Sequence, residues 1–130
     1  ALFVSSSIGL LRVSLVDDAV EPVISTNVVY LSNSKSVDGL YWYRDTLIVV
    51  QPENRSVQRL WLTANSKGIQ DAVMIERNHP MMSNPTTGAI VAENFYYIAN
   101  AQYESFSESG EICPQDRLYE PVILQTMLGD

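Results

Sequence analysis

Asp38 is the residue whose type and position best suit metal chemistry. It precedes Gly39 at the start of an apolar segment, where a carboxylate can face a channel. Divalent cations such as Ca²⁺ take oxygen ligands, and Asp carboxylates are common among them. The alternative interpretation is that Asp38 caps a turn by accepting hydrogen bonds from nearby backbone amides. Both interpretations stay open when the residue alone is considered.

The other candidates for chemistry are one histidine and two amides. His79 could be a general base, or an ordinary loop histidine. Gln51 and Asn100 each end an apolar segment, where they could bind a substrate or hydrogen-bond within the fold. Cys113 has no His beside it in the sequence, so we do not expect a nucleophile there. The G-x-S-x-G motif of serine hydrolases is missing from the sequence.

Composition excludes several classes of partner. The 130 residues carry a formal net charge of −7 and no cluster of Lys or Arg. Nucleic acids and anionic membrane surfaces are bound largely through basic residues, so we expect neither as a partner. No apolar run approaches the roughly 18 residues that a membrane-spanning helix needs. We expect a small-molecule substrate or ligand as a partner.

The elements that must position these residues form an internal repeat. The segment Asp38–Gln51, DGLYWYRDTLIVVQ, returns as Thr87–Asn100, TGAIVAENFYYIAN, at an offset of 49 residues (38 to 87). Each copy consists of an apolar segment, a polar turn, a second apolar segment and an amide. The turns fall at Arg44-Asp45 and at Glu93-Asn94. This pattern predicts a β-hairpin that occurs twice.

The repeat predicts an all-β chain that forms a partial β-propeller with four-stranded antiparallel blades. Residues 1–130 would form a single partial propeller domain: an incomplete blade at 1–36, a full blade at 37–86, and a last blade at 87–130 with an insertion at 101–117. The full blade would contain four strands, Val37–Tyr43, Thr46–Gln51, Ser56–Leu62 and Asp71–Glu76. The alternative is a two-sheet β-sandwich whose self-similarity arises by chance.

Two motifs carry a resemblance to a known family. The segment Val37–Trp42 resembles the DG-hydrophobic motif that opens the innermost strand of a blade in SMP-30/gluconolactonase-like six-bladed propellers. Asn84–Gly88 followed by Phe95–Asn100 is similar to the same group at its next blade. The resemblance implies a divalent cation, often calcium, in a central channel, and hydrolysis of a lactone or ester beside it. It also implies that Asp38 is a metal ligand, whereas Thr87, its repeat equivalent, offers only a hydroxyl.

Consecutive strands of a predicted blade run in opposite directions, so every second loop lies on the same side. The longer polar loops all lie on one of these two sides. We call this side the upper face: it holds Asp38, the loops 25–36, 51–55 and 77–86, Asn100 and the insertion 101–117. Function concentrates in such loops. The first hypothesis is a metal-dependent hydrolase of lactones or esters. The alternative is a non-catalytic propeller that binds a ligand or a protein through its upper face.

The same scheme makes two structural predictions. Between two and three blades are present, whereas a closed propeller needs at least about four. We therefore expect these residues to be the C-terminal part of a longer chain, or to close a ring with copies of themselves. We also expect a set of apolar side chains to be buried between blades: Trp42, Leu47, Val49, Val57, Leu60, Leu62, Ile90, Tyr96 and Ile98.

Overall fold

The structure is a computed structural model that describes residues 1–6, 9–25, 37–112 and 114–129. Within these ranges the chain is all-β, as predicted, with two short 3₁₀ turns at Tyr103–Ser105 and Gln115–Arg117 and no α-helix. In the same ranges, no helix is long and apolar enough to cross a membrane. Cys113, and the part of the predicted incomplete blade at 26–36, lie outside the described residues.

The first sheet is a three-stranded antiparallel meander. Its strands follow the chain in the order β1-β2-β3, with bounds Leu2–Ser6, Gly9–Val13 and Val20–Pro22. Pro22 lies in the edge strand, where its missing backbone N–H interrupts no ladder.

The second sheet contains a four-stranded antiparallel meander and one added edge strand. Its order is β5-β6-β7-β8-β4, and the short β4 pairs in parallel with β8. The bounds are β4 Ile24–Ser25, β5 Gly39–Tyr43, β6 Thr46–Gln51, β7 Ser56–Leu62 and β8 Gly68–Arg77. Arg44 and Asp45 connect β5 to β6 with positive φ angles of 44° and 60°. Two left-handed residues in a two-residue loop match the right-handed twist of the flanking strands.

The third sheet is again a three-stranded antiparallel meander, in the order β9-β10-β11. Its strands are Gly88–Val91, Asn94–Ile98 and Ile123–Met127. Residues 99–122, which include the predicted insertion, separate β10 from β11 along the chain.

The second sheet lies between the other two, and each of its faces is buried. Ile48 and Val50 pack in a core cluster that includes Phe95 of the third sheet. The alternate residues Leu47 and Val49 pack in a separate cluster, which includes Leu10 of the first sheet together with other apolar residues. Successive side chains of a strand point to opposite faces, so β6 contributes to both cores. This explains why every residue of β6 is buried.

Two residues of the third sheet that were predicted to be buried, Tyr96 and Ile98, are not core residues. Phe95 and Tyr97 are fully buried at 0% and 1% exposure, whereas Tyr96 and Ile98 are only half-buried. The reason is the turn: Val91 pairs with Asn94, so the two-residue turn is Ala92-Glu93, one residue earlier than predicted. The structural offset between the hairpins is therefore 48 residues (43 to 91). A one-residue slip moves every side chain of a strand to the other face.

The remaining predictions for the core divide into three groups. Four residues are buried as predicted, namely Leu47, Val49, Val57 and Leu60. Leu62 and Ile90 are half-buried. Trp42 is 54% exposed, so its predicted burial is wrong. Trp42 lies on β5 and stacks on Phe3 of β1, with ring centroids 6.0 Å apart. Phe3 thus covers part of the indole, and no described strand covers the rest.

Candidate functional site at the upper face

The loops assigned to the upper face do meet there. The backbone N–H of Asn78 donates to the carbonyl of Arg55 at 2.9 Å. The Nε of Arg55 donates to the carbonyl of Met82 at 2.8 Å. The side chain of Met82 is itself fully buried in the core between the second and third sheets. The loops 51–55 and 77–86 are thus fixed to each other and to the core beneath them.

Asp38 is the centre of a hydrogen-bonded cluster on this face. Tyr103 Oη donates to Asp38 Oδ2 at 2.7 Å. Thr86 Oγ1 lies 3.4 Å from the same carboxylate oxygen and 3.0 Å from Tyr103 Oη. In the part of the chain that the structure describes, Asp38 Oδ1 accepts no hydrogen bond. The insertion therefore delivers a phenol to a carboxylate that lies 65 residues earlier in the sequence.

Both members of this pair are accessible. Asp38 is exposed, and Tyr103 is 47% exposed. The remaining burial and the neighbouring Asp38 carboxylate both raise the pKa of Tyr103, since each disfavours the phenolate. Tyr103 therefore stays protonated at neutral pH and acts as a hydrogen-bond donor. Asp38 Oδ1 and the exposed part of the phenol are the groups that a ligand can reach.

A second carboxylate lies close by in the insertion. Asn84 Nδ2 donates to both carboxylate oxygens of Glu104, at 2.7 and 2.8 Å. These bonds favour the charged form and lower the pKa of Glu104. Glu104 follows Tyr103 directly in the 3₁₀ turn, so the same turn places both residues. Glu104 therefore stays charged at neutral pH and lies beside the Asp38 site, which favours neutral or cationic ligands.

The neighbouring row of hydroxyls extends the polar surface. Tyr41 Oη accepts a hydrogen bond from the backbone N–H of Gly88 at 2.6 Å. It also lies 3.0 Å from Thr87 Oγ1. The ring of Tyr41 packs against Phe95, with centroids 5.0 Å apart, which fixes the hydroxyl in place. The start of β5 and the start of β9 are in this way joined side by side.

Glycine is required at the start of both strands. A Cβ at Gly39 would lie 2.9 Å from a methyl group of Val50 on the neighbouring strand. A Cβ at Gly88 would lie 2.9 Å from the ring of Phe95 and would overlap a backbone oxygen of β10. The glycines of the two repeated motifs therefore allow close strand approach just below the cluster.

Gln51 and Asn100 are turned toward the protein. Gln51 is 1% exposed, and its Oε1 accepts a hydrogen bond from Nε2 of Gln58. Asn100 is 9% exposed; its Nδ2 donates to the carbonyl of Glu120 at 2.9 Å, and its Oδ1 accepts from the N–H of Val122 at 2.7 Å. Both amides thus hydrogen-bond within the fold, as one of the two interpretations expects. Contact with a substrate stays a prediction.

His79 forms a local turn. Its Nδ1 accepts a hydrogen bond from the backbone N–H of Met81 at 3.2 Å. Among the described residues, no carboxylate hydrogen-bonds to His79 or forms an ion pair with it. The structure thus shows the contacts of a loop histidine, and a role as general base stays a prediction. The sequence analysis did not select Tyr103 as a site residue. An aromatic residue within the otherwise polar insertion could have indicated it.

The oxygen atoms of Asp38, Thr86 and Tyr103 can be compared with the ligands that a calcium ion needs. Calcium takes six to eight oxygen ligands, with several carboxylates among them. In the described ranges, no group of three or more His, Cys, Asp or Glu side chains could hold a metal ion. Asp38 with the hydroxyls of Thr86 and Tyr103 supplies oxygen atoms of the right kind, but with one carboxylate. The described residues thus fit part of a calcium ligand set.

Comparison of the chain with protein-family models, with curated proteins and with solved structures gives no match.

Proposed function

We propose that the chain is part of a β-propeller in which the three sheets are consecutive blades. Each sheet contains an antiparallel meander, and each packs face to face on the next along the chain. The registers also repeat: Phe3 pairs with Arg12 in the first sheet as Ile48 pairs with Arg59 in the second. A two-sheet sandwich has no place for a third sheet in this series, so the propeller is the better account.

Three blades do not close a ring. The proposal therefore implies that further blades come from the rest of a longer chain or from copies of this one. Light scattering on the isolated chain tests this. A monomer that melts cooperatively and stays soluble would contradict the need for further blades.

The upper face is the binding surface in this proposal, and its ligand is a small polar molecule with hydroxyl or amine groups. One observation carries this function: Tyr103, Thr86 and Asp38 come together from three separate segments, and Asp38 and Tyr103 are exposed. Carboxylate and hydroxyl oxygens on rigid strand ends accept and donate the hydrogen bonds that such ligands offer. The net negative charge of the site favours cationic over anionic ligands.

The test is a ligand titration that is followed residue by residue. Backbone amide NMR spectra are recorded while polyols, amines and lactones are added. We expect shifts at Gly39, Gly88 and Tyr103, and weaker binding in Asp38→Asn and Tyr103→Phe. Asp45→Asn is the matched control, because Asp45 lies in the turn at the opposite end of β5. Shifts that avoid the upper face, or equal binding by all three variants, would refute the proposal.

A second candidate function is a divalent-cation-dependent hydrolase of lactones or esters. The observation that favours it is the exposed Asp38 Oδ1, which has no hydrogen-bond donor among the described residues, in a motif that resembles the SMP-30/gluconolactonase-like family. A bound cation would polarise the substrate carbonyl and activate water. Asp38 would help to hold the cation, and Tyr103 would keep its proton on Oη beside it.

Calorimetric titration with Ca²⁺ distinguishes the two candidates. The hydrolase predicts saturable binding that Asp38→Ala abolishes, together with lactone hydrolysis that depends on the cation. Equal affinity for Ca²⁺ in the variant would remove Asp38 from any metal site. Ligand binding that persists in the presence of a chelator would favour the non-catalytic function.

A further inference from the structure

The connection from β10 to β11 contains a loop that is closed at its base. We call its described residues, 102–112 and 114–119, the flap. The Nε2 of Gln102 donates to the carbonyl of Tyr119 at 2.9 Å, and the Oε1 of Gln102 accepts from the backbone N–H of Tyr119 at 2.8 Å. One amide side chain thus holds the two ends of the flap together.

The tip of the flap presents an apolar pair. Phe106 and Ile112 lie opposite each other in an isolated antiparallel bridge. Beside them, the backbone N–H of Ser107 donates to the carbonyl of Glu111 at 2.9 Å. Side chains of directly opposed residues lie on the same side of such a pair. Phe106 is 50% exposed and Ile112 is 60% exposed, so one side of the tip is an accessible apolar surface.

The flap also holds most of the exposed aromatic residues. Four aromatic side chains are exposed in the described ranges, and three of them, Tyr103, Phe106 and Tyr119, belong to the flap. Aromatic residues are enriched where proteins bind proteins, because they bury a large area with few rotatable bonds. Their concentration on one loop differs from the single, scattered apolar residues of an ordinary surface.

The charge of the flap is negative. It carries four carboxylates and one basic residue, and all five side chains are exposed: Glu104, Glu108, Glu111, Asp116 and Arg117. In the described ranges none of the four carboxylates forms an ion pair. An apolar surface that is flanked by unpaired charges of one sign is complementary to an apolar surface flanked by charges of the other sign.

We propose that the flap is a docking element for a basic segment of another protein, in which aromatic or aliphatic side chains alternate with lysines or arginines. The apolar side chains of that segment pack on Phe106 and Ile112, and its basic side chains pair with the carboxylates of the flap. Charge excludes two other occupants. An anionic membrane surface repels an acidic flap, and a second copy of the chain carries the same net charge of −7.

The inference does not depend on the small-molecule site of the upper face. The apolar pair is separate from the hydrogen-bonded cluster of Asp38, Thr86 and Tyr103. The docking surface can therefore be altered at its tip while the residues of that cluster are left unchanged.

The experiment selects peptides without assuming their sequence. A display library of random short peptides is panned against the immobilised whole chain, and the enriched peptides are synthesised with a fluorescent label. We expect them to combine Lys or Arg with aromatic or aliphatic residues. Binding to the whole chain is then measured by fluorescence anisotropy, at low and at high salt.

The apolar half of the surface is tested by two variants. We expect Phe106→Ser and Ile112→Ser each to weaken peptide binding about tenfold, as for apolar anchor residues of an interface. Met81→Ser is the matched control, because Met81 is a 55% exposed apolar residue in the loop 77–86 of the upper face, outside the flap. We expect it to leave the affinity unchanged.

The acidic half is tested by a double variant. We expect Glu108→Gln combined with Glu111→Gln to weaken binding and to reduce its dependence on salt, since salt screens the attraction between exposed charges. Glu53→Gln is the control, because Glu53 is an exposed carboxylate in the loop 51–55 of the upper face. Should Phe106→Ser not fold, this double variant decides: unchanged affinity and salt dependence would refute docking on the flap.

Three results would overturn the inference. The first is a selection that enriches no class of peptide, or a class without basic residues. The second is equal binding of the selected peptides by Phe106→Ser, Ile112→Ser and the unchanged chain. The third is binding to vesicles of phosphatidylserine and phosphatidylcholine, or self-association in light scattering, that Phe106→Ser abolishes. That result would make a membrane or a second copy the occupant.

Discussion

Truncation of Phe95 tests the corrected face of the third sheet. Phe95 is fully buried and lies against two other rings, Tyr41 at 5.0 Å and Tyr97 at 5.5 Å. Replacing a buried Phe by Ala costs about 3–5 kcal/mol. Aromatic contacts contribute about 0.5–1.5 kcal/mol beyond buried area. We therefore expect Phe95→Ala to lower the free energy of unfolding by an amount near the upper end of the first range.

The neighbouring residue is the matched control. Tyr96 lies next to Phe95 in the same strand, but its side chain points to the other face and is half-buried. We expect Tyr96→Ala to cost about 1 kcal/mol, as for a typical substitution outside the core. The hairpin offset of 49 residues that the sequence suggests makes the opposite prediction, with Tyr96 as the core residue.

The assay is urea unfolding followed by circular dichroism, with the slope of the transition compared between variants. An unchanged slope shows that the variants differ in stability and not in the surface that unfolding exposes. Should Phe95→Ala not fold, Phe95→Leu and Tyr96→Leu give the same comparison at a smaller loss. A larger loss for Tyr96 than for Phe95 would refute the turn at Ala92-Glu93 and the packing of β10 built on it.

Three further predictions concern stability. Gly88→Ala should destabilise the chain by about 1–3 kcal/mol, because the added Cβ overlaps the neighbouring strand; the melting temperature measures this. Arg59→Ala should cost roughly 3 kcal/mol in urea unfolding, because the buried guanidinium donates to the carbonyl of Leu128 at 3.1 Å; Lys at the same position should restore only part. Burial and the hydrogen bond to Glu76 raise the pKa of Tyr97. Folding therefore favours the protonated phenol, and the resulting stability is full below about pH 10 and lost as the pH rises further; Tyr97→Phe should flatten that loss above about pH 10.

Local patterns in the sequence determined the strands of the central sheet. Strands β6 and β7 begin and end at the predicted residues, Thr46–Gln51 and Ser56–Leu62. The turn at Arg44-Asp45 also lies where the sequence placed it. Apolar runs and turn residues report on neighbours only a few positions apart, so they can be recognised without any tertiary contact. The gathering of loops at the upper face follows as well, because antiparallel strands return each connection to a fixed end.

Other features required the packed structure. After Asn94, strand β10 carries large apolar or aromatic residues on both faces, so its sequence does not distinguish a turn at Ala92-Glu93 from one a residue later. Only the packing of Phe95 against the second sheet decides the register. Trp42 is a large apolar residue in a strand, yet it is 54% exposed, and its contact with Phe3 depends on how the first sheet packs on the second.

The candidate site shows the same division. Asp38 could be singled out from its place before Gly39, because that signal is local in the sequence. Its partner Tyr103 lies 65 residues further along the chain, in an insertion with no repeat equivalent. Gln51 ends a strand as a rim residue would, but its side chain points between the sheets. A residue's type and spacing determine the strand to which it belongs, whereas its contacts depend on which distant segments pack beside that strand. Those segments are set by the tertiary structure.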